Sequence, residues 1–125
     1  MNYTELYKRA EAILKNAYAP YSKFHVGAAL LTTTGDVFTG VNVENASFGA
    51  TICAERTAVC KAVSEGYQEF VAIAVASSGG EAYPCGICRQ FIFEFGDDID
   101  VITSEDGQQL HVHKITELLQ HGFRL

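Results

Sequence analysis

Three cysteines and one glutamate are the residues of this chain whose types and spacing could do chemistry. Cys53-Ala54-Glu55-Arg56 places a soft metal ligand two residues before a carboxylate, and Pro84-Cys85-Gly86-Ile87-Cys88-Arg89 adds two thiols spaced C-x-x-C. A structural zinc site is closed by four protein ligands, whereas a catalytic one leaves a position for water. Cys53, Cys85 and Cys88 supply three thiolates and no fourth ligand has matching spacing, so the count predicts an open Zn2+ site. Side chains in a helix lean toward its N-terminus, so Glu55, in the first turn of a helix that starts at Cys53, can reach a water in front of that end. There it would carry protons while the metal makes the water nucleophilic, which predicts hydrolytic attack on an unsaturated carbon. Three thiolates outweigh one divalent ion, and two helix N-termini aimed at them would offset part of the excess. Arg56 and Arg89, each directly after a site residue, are candidates for returning positive charge by hydrogen bonding to sulfur.

Two plainer uses of the same residues stand beside this one. The thiols could form a sealed structural zinc module with His25 or His111 as fourth ligand, which would leave Glu55 idle. Alternatively Cys85 and Cys88 could be a redox pair, which would leave Cys53 and its glutamate unexplained. Cys60, on roughly the same helical face as Cys53, reads as a small core residue.

Positioning such a site calls for elements that begin at the ligands. Leu6, Tyr7, Ala10, Ile13, Leu14 and Ala17 recur at helical spacing over Thr4–Ala17. Val26–Leu31 and Val37–Val43 read as a hairpin around Thr34-Gly35-Asp36. Cys53–Glu65 is a helix with Gly66 at its C-terminal end, and Phe70–Ala76 is a continuous apolar strand covered on both faces. Gly86–Phe95 is a helix stopped at Gly96; Asp100–Thr103 and Gln109–Val112 form a second hairpin, and Thr116–Leu119 starts a short last helix. The order α-β-β-α-β-α-β-β-α predicts an α/β protein: a three-layer α/β/α sandwich with a mixed sheet of about five strands.

At 125 residues, 48% apolar and 19% charged, the chain is long and apolar enough for one domain, 1–125, with a buried core. The net charge of −6, with nine scattered Lys and Arg, argues against a nucleic-acid polymer and leaves a small neutral ligand as the better partner. No apolar run spans a bilayer and no basic-then-apolar leader is present, so no membrane partner and a cytoplasmic location are expected, with reduced thiols.

The motif C-A-E with P-C-x-x-C resembles the zinc nucleoside deaminase signature. With cysteine as first ligand it is similar to the small homotetrameric zinc-dependent cytidine deaminases. Tyr21–Leu30, Gly40–Ser47, Cys53–Ala58 and Pro84–Gln90 all resemble that family, so the likeness covers most of the chain. It implies a cytidine deaminase, a hydrolase taking cytidine and deoxycytidine to uridine and deoxyuridine in pyrimidine salvage. Glu55 would protonate ring N3 and later pass a proton to the departing amino group. It also implies that Phe24 lines the pyrimidine pocket, that the Ala54 N–H meets the base, and that Asn42 and Glu44, i and i+2 on one face, hold the ribose. Ala46 and Phe48 join the same substrate-binding set, Phe48 standing where many relatives have tyrosine. Phe123 resembles the C-terminal phenylalanine that enters a neighbouring subunit's site, which implies a homotetramer with shared sites. A blasticidin S-type nucleoside deaminase shares the zinc signature and is the alternative.

Overall fold

The elements that hold the site are assembled by a strict alternation of side chains across one sheet. The computed structural model describes residues 1–125. Helix α1 (Tyr3–Ile13) is capped by Asn2, whose side chain accepts from the Glu5 N–H at 2.8 Å. Strands β1 (Val26–Thr32) and β2 (Val37–Val41) follow, then helix α2 (Ala54–Ser64), strand β3 (Phe70–Ser77), helix α3 (Gly86–Phe93), strands β4 (Asp100–Ser104) and β5 (Leu110–Lys114), and helix α4 (Ile115–Leu118). The sheet runs β2-β1-β3-β4-β5; every pair is antiparallel except β3 and β4, which α3 connects as a crossover.

Ala28 and Leu30 of β1 and Ile73 of β3 face a core of Ala58, Val59, Ala62, Ile92 and Ile115 from α2, α3 and α4. The intervening Ala29, Leu31, Ala72, Ala74 and Ala76 face Leu6, Tyr7 and Ala10 of α1. Period-two alternation on strands buried on both sides thus builds the expected three layers. Small residues on the α1 face let that helix lie close: a Cβ on Gly27 would stand 2.3 Å from the Ala10 carbonyl oxygen. On the other face a Cβ on Gly40 would stand 2.4 Å from the Ala58 nitrogen and 2.6 Å from the Ala54 carbonyl oxygen, so β2 seats the first turns of α2 through its glycine.

Two of the boundaries that differ from the sequence reading do so for one reason. The first helix ends at Ile13, with a 3-10 turn over Leu14–Asn16, instead of running to Ala17, and β2 stops at Val41 instead of Val43. Tyr18 bridges Val43, and Val43 bridges Ile52, so both segments must be extended outside the sheet to meet. That small ladder carries Asn42 and Glu44 over the start of α2.

Candidate active site

Cys53 and Cys85 are the N-terminal caps of α2 and α3, and Cys88 lies one turn into α3. Neither cap makes a side-chain hydrogen bond to its helix, which leaves both sulfurs turned to each other at 3.7 Å. All three sulfurs lie within 4.8 Å of one another. Sulfurs bound tetrahedrally at ~2.3 Å from zinc sit about 3.8 Å apart, so the donor set matches the ion in type and spacing. The histidines offered as a fourth ligand are engaged elsewhere: His25 Nδ1 faces the Leu14 carbonyl at 3.3 Å, and His111 Nδ1 lies 2.6 Å from Glu81. Cys88 is buried, while Cys53 and Cys85 line a cleft.

Without a cation the thiols share charge unequally. A hydrogen bond from Cys88, helped by Arg56, holds the Cys53 thiol well below the usual thiol range, while donating to that thiolate and burial push Cys88 up. Metal ligation requires thiolates, so zinc must expel the Cys88 proton. Titrating the metal-free protein with Zn2+ in weak buffer at neutral pH is expected to release at least one proton per ion; a titration with no acidification would show that the cysteines do not bind as thiolates.

Glu55, 4% exposed, sits one residue inside α2. Burial pushes its carboxyl up to about 7, opposed by its own backbone N–H and reinforced by the Cys53 thiolate. A carboxyl poised there can both accept and release a proton at neutral pH. Arg56 Nη2 lies 3.5 Å from Cys53 Sγ and 3.5 Å from the Thr51 carbonyl. The expectation for Arg89 needs correction: its Nε donates to the Pro84 carbonyl at 2.7 Å and its Nη1 to the Leu118 carbonyl at 2.8 Å, not to sulfur. Arg89 points sideways from α3 and ties the approach to Cys85 to the end of α4, because carbonyls ending a helix need donors.

The cleft has a volume of about 260 Å³ and is lined by Phe24, Asn42, Glu44, Cys53, Ala54 and Glu55, among others. Ala54 opens α2, so its N–H is one of those with no partner inside the helix. Asn42 is more committed than its sequence position indicates. Its Oδ1 accepts from the Val26 N–H at 2.9 Å and its Nδ2 donates to the Phe24 carbonyl at 2.8 Å, leaving one N–H and one lone pair. Glu44 accepts the Tyr21 and Ser22 N–H groups at 3.0 and 3.1 Å and the Ser22 hydroxyl, which keep its carboxyl ionised to unusually low pH. Gly79 makes room for the Phe24 ring, since a Cβ there would meet Phe24 Cε1 at 2.8 Å.

Three of the residues expected on the substrate side lie outside this cleft. Ala46 is exposed in the loop beyond it, Phe48 is 77% exposed and meets Tyr21 edge-on, and Phe123 is 66% exposed beside Ile87 and Gln90 on the outer face of α3. None of the three lines the cleft that holds Glu55. Cys60, read as core, is exposed, because the inner face of α2 is filled by Ala54, Ala58, Val59 and Ala62. Conversely, Ser22, Thr51, Ala82 and Tyr83 also line the cleft, though none was expected there; Ser22 lies within the Tyr21–Leu30 stretch that carries the resemblance.

Residues 1–104 match the family model described as the cytidine and deoxycytidylate deaminase zinc-binding region. The chain is 58% identical over 102 residues to a probable cytidine deaminase of Dictyostelium discoideum, covering 78% of this chain and 69% of that protein. It superposes with a TM-score of 0.92 on the crystal structure of cytidine deaminase from Burkholderia pseudomallei, at 45% identity, over 98% of this chain and 100% of that one. A more distant match, 34% identical over 96 residues and covering 70% of this chain and 69% of its own, is a blasticidin-S deaminase of Bacillus cereus. Both the sequence match and the superposition span the helix starts that gather the thiols and Glu55, and by them the chain belongs to the zinc-binding cytidine and deoxycytidylate deaminase family.

Proposed function

We propose that this chain hydrolytically deaminates cytidine and deoxycytidine to uridine and deoxyuridine, releasing ammonia, as a step of pyrimidine salvage in the cytoplasm. The observation that carries this reading is a buried carboxyl, Glu55, in a cleft beside three converging thiols. Cys53, Cys85 and Cys88 would hold zinc, which would make a water in the cleft nucleophilic near neutral pH. Glu55 takes a proton from that water and delivers it to ring N3. The remaining hydroxyl bonds to C4, and Glu55 then moves that hydroxyl's proton to the amino group as the C4–N bond breaks, so that water and cytidine give uridine and ammonia. The Ala54 N–H meets the base, and the Phe24 ring forms a wall against the pyrimidine. The free lone pair and N–H of Asn42, with the ionised Glu44, face the sugar hydroxyls. Arg56, on the Cys53 sulfur, keeps that ligand anionic and oriented.

The test follows the ultraviolet absorbance of cytidine and of blasticidin S with the zinc-loaded protein side by side. Consumption of cytidine at the higher kcat/KM is expected; preference for blasticidin S would transfer the reading to that substrate class, and no deamination of either would end it. The exposed Phe48, Phe123 and Ile87 support a homotetramer in which neighbouring copies complete each cleft. In the same assay a chain ending before Gly122 is expected to fold and to lose activity.

A further inference from the structure

The loop between β3 and α3 carries Ala82 and Tyr83 into the wall of the cleft before Cys85 caps α3, so what fixes this loop fixes that wall. At its start, Ser78 Oγ accepts the His25 N–H at 3.0 Å. Its middle is held from the β4–β5 hairpin. Glu81 Oε2 accepts the Thr103 hydroxyl at 2.6 Å and lies 2.6 Å from His111 Nδ1. Thr103 and His111 are cross-strand partners on β4 and β5, which is why both reach a single oxygen. Two residues further along each segment, the Tyr83 and His113 rings meet edge to face, their centroids 5.7 Å apart. Glu81 and Tyr83 are therefore matched by His111 and His113, i and i+2 on one face of β5.

We infer that Glu81 is a positioning residue for the substrate cleft, clamping the Ala82–Tyr83 wall to the β4–β5 hairpin through Thr103 and His111. An isolated exposed ion pair would contribute little. This carboxylate also satisfies a fully buried hydroxyl, Thr103, and a buried donor left without an acceptor is costly. The carboxylate does not touch the thiols or Glu55, so loss of the clamp loosens one wall without altering the groups that move protons.

The consequence for catalysis rests on the deaminase reading above, and the test separates the two. In Glu81→Ala the KM for cytidine is expected to rise about tenfold, the loss of one to two hydrogen bonds, with kcat and bound zinc unchanged. Glu81→Gln, whose amide oxygen still accepts from Thr103, should recover most of that loss. The double variant Glu81→Ala with His111→Gln should be no worse than Glu81→Ala alone, because both remove one interaction. Hydrogen exchange at amides 78–83 should quicken in Glu81→Ala whether or not cytidine is a substrate, so the clamp is decided even if the wild type proves inert. If Glu81→Ala did not fold, His111→Gln, at the hairpin edge, would report a smaller rise in KM and faster exchange over the same loop. Unchanged KM with unchanged exchange, a fall confined to kcat, or additive effects would overturn the inference.

Discussion

Glu55→Gln is expected to lower cytidine turnover by about 10²–10⁴-fold, the usual contribution of a positioned acid–base group, while zinc remains bound. The amide fills the same buried volume at the start of α2 and leaves the three thiols untouched, but it can neither take nor return a proton. Steady-state rates together with metal analysis of the purified variant test this; turnover above a tenth of wild type would remove Glu55 from the proton path. The same substitution has a signature in the stability of the metal-free protein. Burial raises the folded-state carboxyl from 4.5 to about 7, so the folded state holds a proton that the unfolded chain releases. The contribution of Glu55 to stability is therefore fullest below pH 4.5, falls as pH rises toward 7, and is level above. Glutamine has no such slope, so Glu55→Gln should gain on wild type by about 3 kcal/mol across that window. Melting curves of chelator-treated proteins from acid to neutral pH would show the two lines diverging; parallel lines would contradict the burial argument.

Gly40→Ala is expected to damage both stability and activity although position 40 touches no substrate. The new methyl would stand 2.4 Å from the Ala58 nitrogen and 2.6 Å from the Ala54 carbonyl, both backbone atoms that cannot swing aside. Overpacking of this kind costs about 1–3 kcal/mol, relieved by pushing α2 off the sheet. Because Cys53 and Glu55 ride on the first turn of that helix, a displacement near 1 Å would lower activity by about 100-fold. Melting temperature, zinc content and kcat measured together test the point, and a variant with wild-type values in all three would show that β2 and α2 are not in register through this glycine.

The parts legible in the sequence were those governed by local rules. Cys53 and Cys85 announce themselves because each precedes a helical apolar pattern, and the unbroken apolar runs Val26–Leu31 and Phe70–Ala76 are the direct imprint of two covered faces. What escaped was set by contacts distant along the chain. Arg89 reaches Leu118, and Asn42 spends half its amide on Val26 and Phe24. Nothing near Glu81 signals that Thr103 and His111 will meet it, since no periodicity links them. Phe48 and Phe123 looked like substrate contacts through their resemblance, yet both are exposed outside the cleft, a matter of where the backbone runs after α4 and after the Tyr18–Val43–Ile52 ladder.

The connections of this sheet are sorted by end. The segments 14–25, 42–53 and 77–85 each send residues into the cleft beside the thiols, whereas the Thr33–Asp36 turn and the Glu65–Glu69 connection meet at the opposite end, where the Thr33 N–H bonds the Glu69 carbonyl at 3.1 Å. A peptide tag or a small reporter domain spliced into the Thr33–Asp36 hairpin would thus extend away from the reacting centre, and new chain termini cut there would leave every ligand-bearing loop intact. The far turn is a natural splice point for recombining this scaffold.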